Sequence, residues 1–184
     1  MTSRGAAIRY ARALFDVARK ESDIQQVGRE LAGFARVVAG NEQLSRVLAN
    51  PAIPAARKRG VVEQLLARAG TISPVLSKLL LLLADRDRLT ILPDLASAYE
   101  ARLMDHANIV RAHLTTAVEL PDDRIAALKH GLARATGRDV QLETRVDAAL
   151  IGGAVARIGS TVYDGSVTTQ LQKVKERLTS AAAE

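Results

Sequence analysis

Val110-Arg111-Ala112-His113-Leu114-Thr115-Thr116-Ala117-Val118-Glu119 is where the hydrophobic period of this chain changes. Val110, Ala112, Leu114, Thr116 and Val118 alternate with Arg111, His113, Thr115, Ala117 and Glu119. Successive strand side chains point to opposite faces, so the run predicts a strand with one buried and one wet face. Upstream, apolar residues recur every three to four positions; downstream, both periods occur. The expected class is α+β: an N-terminal six-helix bundle over residues 1–106, then a small mixed α/β C-terminal domain over residues 107–184.

Working back from that boundary, six amphipathic segments follow one another. Residues 4–20 set Ile8, Ala11, Leu14, Phe15 and Ala18 against Arg9, Arg12, Asp16, Arg19 and Lys20. Tyr10, Ala13 and Val17 fall off the main stripe, so this helix is apolar over much of its circumference and suited to contacts on two sides. The second helix opens at Ser22, three residues before Gln25, a capping-box spacing, and ends at Gly40. A short third helix between Asn41 and Asn50-Pro51 carries Leu44, Val47 and Leu48; a fourth, about Pro54 to Ala69, carries Val61, Val62, Leu65 and Leu66. The fifth begins at Ser73-Pro74, a cap residue and a proline at the first helical position, and holds five consecutive leucines, Leu79 to Leu83. The sixth spans about Leu89 to His106 with Leu92, Leu95, Tyr99 and Leu103.

Downstream, Pro121 opens a helix bearing Ile125, Leu128, Leu132 and Ala135 and closed by Gly137. A second alternating strand carries Val140, Leu142, Thr144 and Val146. Gly152-Gly153 leads into a third, about Ala154–Gly159, and Val162-Tyr163 continue the extended chain to a turn at Asp164-Gly165. A last helix carries Val167, Leu171, Val174 and Leu178.

Composition bounds the chemistry. There is no cysteine, which excludes disulfides, thiolate metal sites and Cys nucleophiles; His106, His113 and His130 are too scattered for a ligand cluster. Residues 1–106 hold 16 Lys and Arg against 11 Asp and Glu, and the remainder 10 against 9, so the basic excess lies in the first part. The arginines are dispersed and aromatics are only 3%, which weighs against a nucleic-acid surface built on stacking platforms. The longest apolar run is far shorter than the roughly 20 residues of a membrane span, so association with a membrane is expected only through partners.

Gly152-Gly153 lacks the further glycines or Gly-Lys-Ser/Thr ending of a phosphate loop and reads as a structural turn. Asp164-Gly165-Ser166 offers a hydroxyl, with His113 as a loose candidate base for a small hydrolase; the plainer reading is a turn capped by Ser166. Arg57-Lys58-Arg59 and Asp85-Arg86-Asp87-Arg88 read as solvated surface. The Leu79–Leu83 run surrounds its helix, at roughly 100° per residue, and leaves two readings open. The fifth helix is either buried all round or forms part of a groove for a helix of another chain.

Tyr10-Ala11-Arg12-Ala13-Leu14-Phe15-Asp16-Val17-Ala18, Asn41-Glu42-Gln43-Leu44, the stretch Leu83 to Leu89 with Leu92-Pro93, and Val140 to Arg157 followed by Gly159 and Asp164-Gly165-Ser166 together resemble the delta subunits of F-type ATP synthases, the family of the mitochondrial oligomycin-sensitivity-conferring protein. The resemblance runs through essentially the whole chain in order; Ala156 departs from it, standing where the family usually has a larger aliphatic residue. It implies a non-catalytic stator subunit with no catalytic, cofactor or metal residues. One copy would tie the alpha subunits of the catalytic head to the b subunits of the peripheral stalk, on the cytoplasmic side of a bacterial inner membrane. It implies that Tyr10, Ala13, Leu14 and Val17 face Lys78, Leu79, Leu82 and Leu83 across a groove that takes an alpha-subunit helix, and that Asp147, Gly152, Gly153, Gly159, Asp164 and Ser166 are marks of the fold.

Overall fold

The computed structural model describes residues 3–70, 72–172 and 175; Val174 and Leu178, expected on the last helix, lie outside the described residues. The chain divides into two compact units, Met1–Leu103 and Met104–Glu184.

The first unit holds α1 (Ser3–Glu21), α2 (Ile24–Gly40), α3 (Glu42–Ala49), α4 (Ala55–Arg68) and α5 (Pro74–Asp85). A 3-10 turn, Leu89–Ile91, then leads into α6 (Leu92–His106), whose last residues fall in the second unit. α5 is the hub, touching α1, α2 and α4. Its Leu76, Leu79, Leu80 and Leu83 enter the core, Leu81 is half-buried and Leu82 is exposed. Most of the helix circumference is therefore buried, and one leucine faces out. Tyr99 of α6 packs against Phe15 with ring centroids 5.8 Å apart, and its hydroxyl donates to the Ile24 carbonyl at 2.9 Å. Burial, with Asp23 nearby, pushes the Tyr99 phenol up to about 12. Gly28 lets α2 approach α6: a Cβ there would stand 2.7 Å from Leu103 Cδ1.

Two helix starts differ from the sequence reading. Ser22 does not cap α2, because its amide still belongs to α1, donating to the Ala18 carbonyl at 2.8 Å. The cap is Asp23, whose carboxylate accepts from the Gln25 and Gln26 amides at 2.8 and 3.3 Å. Ser73 makes no side-chain cap of its own at α5. Its hydroxyl and amide instead donate to the Glu30 carboxylate of α2 at 2.5 and 2.9 Å, so one helix ties down the start of another.

The second unit is a four-stranded sheet of β1 (Ile109–Thr116), β2 (Asp139–Val146), β3 (Ala154–Ile158) and β4 (Thr161–Asp164), in the order β2-β1-β3-β4. β1 pairs parallel with β2 and antiparallel with β3, and α7 (Asp122–Thr136) is the connection that parallel pairing requires. α7 covers one face with Leu128 and Leu132 over Ala112, Leu114, Val140 and Ala156. Ala112, Leu114 and Thr116 are buried as the alternation predicts. The strand stops at Thr116, however, where the side-chain hydroxyl donates to the Val118 carbonyl at 2.8 Å and the chain bends away, leaving Val118 exposed. The third strand is also shorter than expected. Gly159, at φ +57°, and Ser160 form a two-residue hairpin loop, so Val162 and Tyr163 run back along β3 instead of extending it.

Burial acts to raise the Glu30 pKa, but the bonds from Ser73 and Gln26 and the nearby Arg29 hold it below the ordinary carboxylate value. A depressed carboxylate contributes stability above its unfolded pKa and loses it as pH falls through the folded one. Glu30→Ala should therefore cost about 1–2 kcal/mol in urea melts at neutral pH. The difference from the wild type should shrink steadily below pH 4.5, the ordinary value for this group.

Candidate functional site

The eight residues expected to form a groove lie on two helices that touch, α1 and α5. Their roles separate by exposure. Leu14 and Leu83 are core residues, and Leu79 sits at the core's edge, so these three support the wall from behind. Ala13, Val17, Lys78 and Leu82 face outward, with Val17 39% and Leu82 42% exposed, and Tyr10 is half-buried between core and surface. On α1, positions 10, 13 and 17 share one face; on α5, 78 and 82 do the same. The outcome is a shallow apolar edge with a lysine on it, backed by leucines. Arg88, just past α5, donates to the Tyr10 hydroxyl at 3.5 Å.

The two charge runs read as solvated surface meet each other. The Lys58 ammonium, on a side chain only 1% exposed, pairs with Asp87, and Arg59 donates to the Asp85 carboxylate at 2.7 Å. Asp87 has φ +52°, a left-handed conformation that Asp tolerates better than most residues. The pairs fasten the end of α5 to α4. The signal for Lys58 was available in the sequence: it stands four residues before Val62 and seven before Leu65, on α4's apolar stripe. Its partner, 29 residues away, was not.

In the second unit four of the six signature residues, Gly152, Gly153, Asp164 and Ser166, form one backbone lock. Gly153 has φ +85°, and a Cβ there would lie 2.4 Å from the Gly165 carbonyl oxygen. The Gly165 amide donates to the Ala154 carbonyl and the Val167 amide to the Gly152 carbonyl, both at 3.0 Å. The Asp164 carboxylate accepts from the Ser166 amide and the Thr169 hydroxyl, each at 2.8 Å. Ser166 Oγ accepts the Thr169 amide at 3.3 Å, the cap anticipated from sequence. Asp147 turns the chain after β2, accepting the Ala149 amide at 2.9 Å. Ser166 is buried in this turn, while His113 Nδ1 lies 3.2 Å from a Glu143 carboxylate oxygen on β2, so the structure does not join them as nucleophile and base.

These features define a two-part α+β protein whose candidate site is a surface, not an enclosed chamber. The family model for the ATP synthase delta (OSCP) subunit matches residues 6–178. ATP synthase subunit delta of Myxococcus xanthus is 42% identical over 179 residues, covering 97% of this chain and 98% of that one. A chain in the Toxoplasma gondii mitochondrial ATP synthase hexamer shares the fold at a TM-score of 0.66 and 22% identity, over 94% of this chain and 96% of that one. A chain of the Polytomella F-ATP synthase, from a focussed refinement of the F1 head and rotor, matches 54% of this chain and 87% of its own length at 27% identity, with a TM-score of 0.51. This chain belongs to the ATP synthase delta (OSCP) subunit family. Among the described residues no helix is long and apolar enough to cross a membrane.

Neutralising Asp87 leaves Lys58 buried without its counter-charge. Asp87→Asn should destabilise the chain by about 3 kcal/mol, and adding Lys58→Met should recover most of that loss in urea unfolding. Equal stability of the single and double variants would show that the pair carries no such charge dependence.

Proposed function

We propose that this chain is the stator subunit that holds the catalytic head of an F-type ATP synthase to its peripheral stalk. Residues 1–106 act as a six-helix bundle receiving an N-terminal helix from the alpha subunits, and residues 107–184 meet the ends of the b subunits. The chain performs no chemistry. It acts as one copy per complex, peripheral to a bacterial inner membrane on its cytoplasmic side.

The observation that carries the head contact is the outward apolar edge of α1 and α5: Ala13, Val17 and Leu82 exposed beside Tyr10, over a floor of core leucines. An amphipathic helix laid on that edge gains about 25 cal/mol for each Å² of apolar area removed from water, before association costs. Lys78 on the edge can also steer an acidic partner segment. The Polytomella neighbour, solved with an F1 head and matching about half of this chain, supports the same reading.

The role is mechanical. The central stalk exerts torque on the head as it turns, and a head free to follow the rotor makes no ATP. Reconstitution of the complex with and without this chain should show coupled ATP synthesis only when it is present; full coupling without it would refute the assignment. Leu82→Glu places a charge on the edge without touching the core, and should weaken binding of an alpha-subunit N-terminal peptide by about tenfold or more. Unchanged affinity would remove the edge from the interface.

A further inference from the structure

The run Asp85-Arg86-Asp87-Arg88 is neutral as a sequence, and the fold sorts its charges in space. Both carboxylates turn to α4: Asp87 pairs with the Lys58 ammonium, and Asp85 accepts from the Arg59 guanidinium at 2.7 Å. Arg86 and Arg88 are exposed and meet no carboxylate among the described residues. The Lys58 side chain is 1% exposed, so the cation that neutralises Asp87 is itself out of a partner's reach.

The two arginines stand at one end of the apolar edge of α1 and α5. Arg88 donates to the Tyr10 hydroxyl of α1. Arg86 follows Leu83 by three residues and Leu79 by seven, on the row of leucines that backs the edge. Lys78, exposed and likewise without an ion pair among the described residues, lies one turn before Leu82. Against these three cations the matching face of α1 offers one carboxylate, Glu21, four residues past Val17. An apolar strip with an excess of positive charge along it is complemented by an apolar helix that carries a carboxylate. Tyr10 holds the Arg88 guanidinium at the strip, which reduces the side-chain freedom that binding must remove.

We infer that Arg88, with Arg86 beside it, recognises a carboxylate on the alpha-subunit helix that this edge receives, and that Lys58 keeps the two arginines available by holding Asp87 away from them. The inference rests on the reading of the edge as the head contact. It adds what distinguishes the right helix from any other apolar helix: an acidic group placed to meet the end of α5.

The test uses the full chain and a synthetic peptide of the N-terminal segment of the alpha subunit from the same organism, with binding followed by calorimetry. A second peptide has its carboxylates replaced by amides. The wild type should bind the first about fivefold more tightly than the second at low salt, by a factor that falls as salt rises. Arg88→Gln, checked for unchanged helix content by circular dichroism, should weaken binding of the acidic peptide about fivefold and leave the amide peptide unaffected. Lys58→Met should weaken it similarly although Lys58 is buried, because Asp87 is then free to neutralise Arg86 and Arg88. Adding Asp87→Asn should restore the affinity. A double variant that binds as poorly as Lys58→Met would overturn the charge sorting, and so would an Arg88→Gln variant that treats both peptides as the wild type does or loses equally on both. In those cases a peptide that the wild type binds and Leu82→Glu does not leaves the head contact standing. A wild type that binds neither peptide would overturn the head contact and the inference together.

Discussion

Lys58 runs its buried side chain past the core of the helical unit to the turn after α5, and the geometry around the end of α5 follows from that placement. A buried cation needs a counter-charge, and the turn after α5 supplies Asp87 by adopting a left-handed backbone conformation there. With Arg59 holding Asp85 alongside, α4 and α5 end in a fixed relation. That relation determines where the chain goes next. Arg88 is directed toward Tyr10, and Leu89 and Ile91 are packed into the core. At the other end of α5, Glu30 of α2 holds Ser73, so the helix is fixed at its start by a neighbour's carboxylate and at its end by the cations of α4. A helix pinned in this way keeps Leu82 outward while its sisters stay buried. The exposed leucine is a consequence of register and not of local looseness.

Local patterns in the sequence carried most of the element boundaries, because helical and strand periods are written in neighbouring residues. The leucine run, the alternation of β1 and the cap at Ser166 all belong to this class. Where the reading went astray, the deciding partner was distant or the competition was between adjacent residues. Ser22 lost the cap to Asp23 because α1 ran one residue further. The hairpin at Gly159-Ser160 was hidden because Val162 and Tyr163 are as suited to returning along β3 as to prolonging it, and only pairing distinguishes the two. The charge runs at 57–59 and 85–88 each looked like solvated surface, since neither contains its own partner. The proposed docking edge was legible as a set of residues on two helices. Which of them face out was not, because in a helix apolar on most sides the period does not choose the inward face.

The glycine pair before β3 shows the same division of labour at close range. A turn there could be read from composition alone, but the reason for two glycines lies 12 residues later, in the Gly165 backbone that occupies the space of a side chain. The lock consumes the polar groups of Asp164 and Ser166 in shaping the chain, which is why a constellation that resembles the beginnings of a catalytic site is instead spent on architecture. It also leaves Ile151 at the rim of an open cleft on an otherwise small unit, whose buried core is limited to a few residues under α7.

β1 is both the first strand of its unit and an inner strand of the sheet, with β2 on one side and β3 on the other. β1 also follows α6 in the chain, so a load passed along the backbone from α6 reaches this strand first. Hydrogen bonds to two neighbours, β2 and β3, share whatever load the strand takes. A part that must resist torque gains from an entry strand held by two ladders where a marginal strand would have one, and this order of strands provides that.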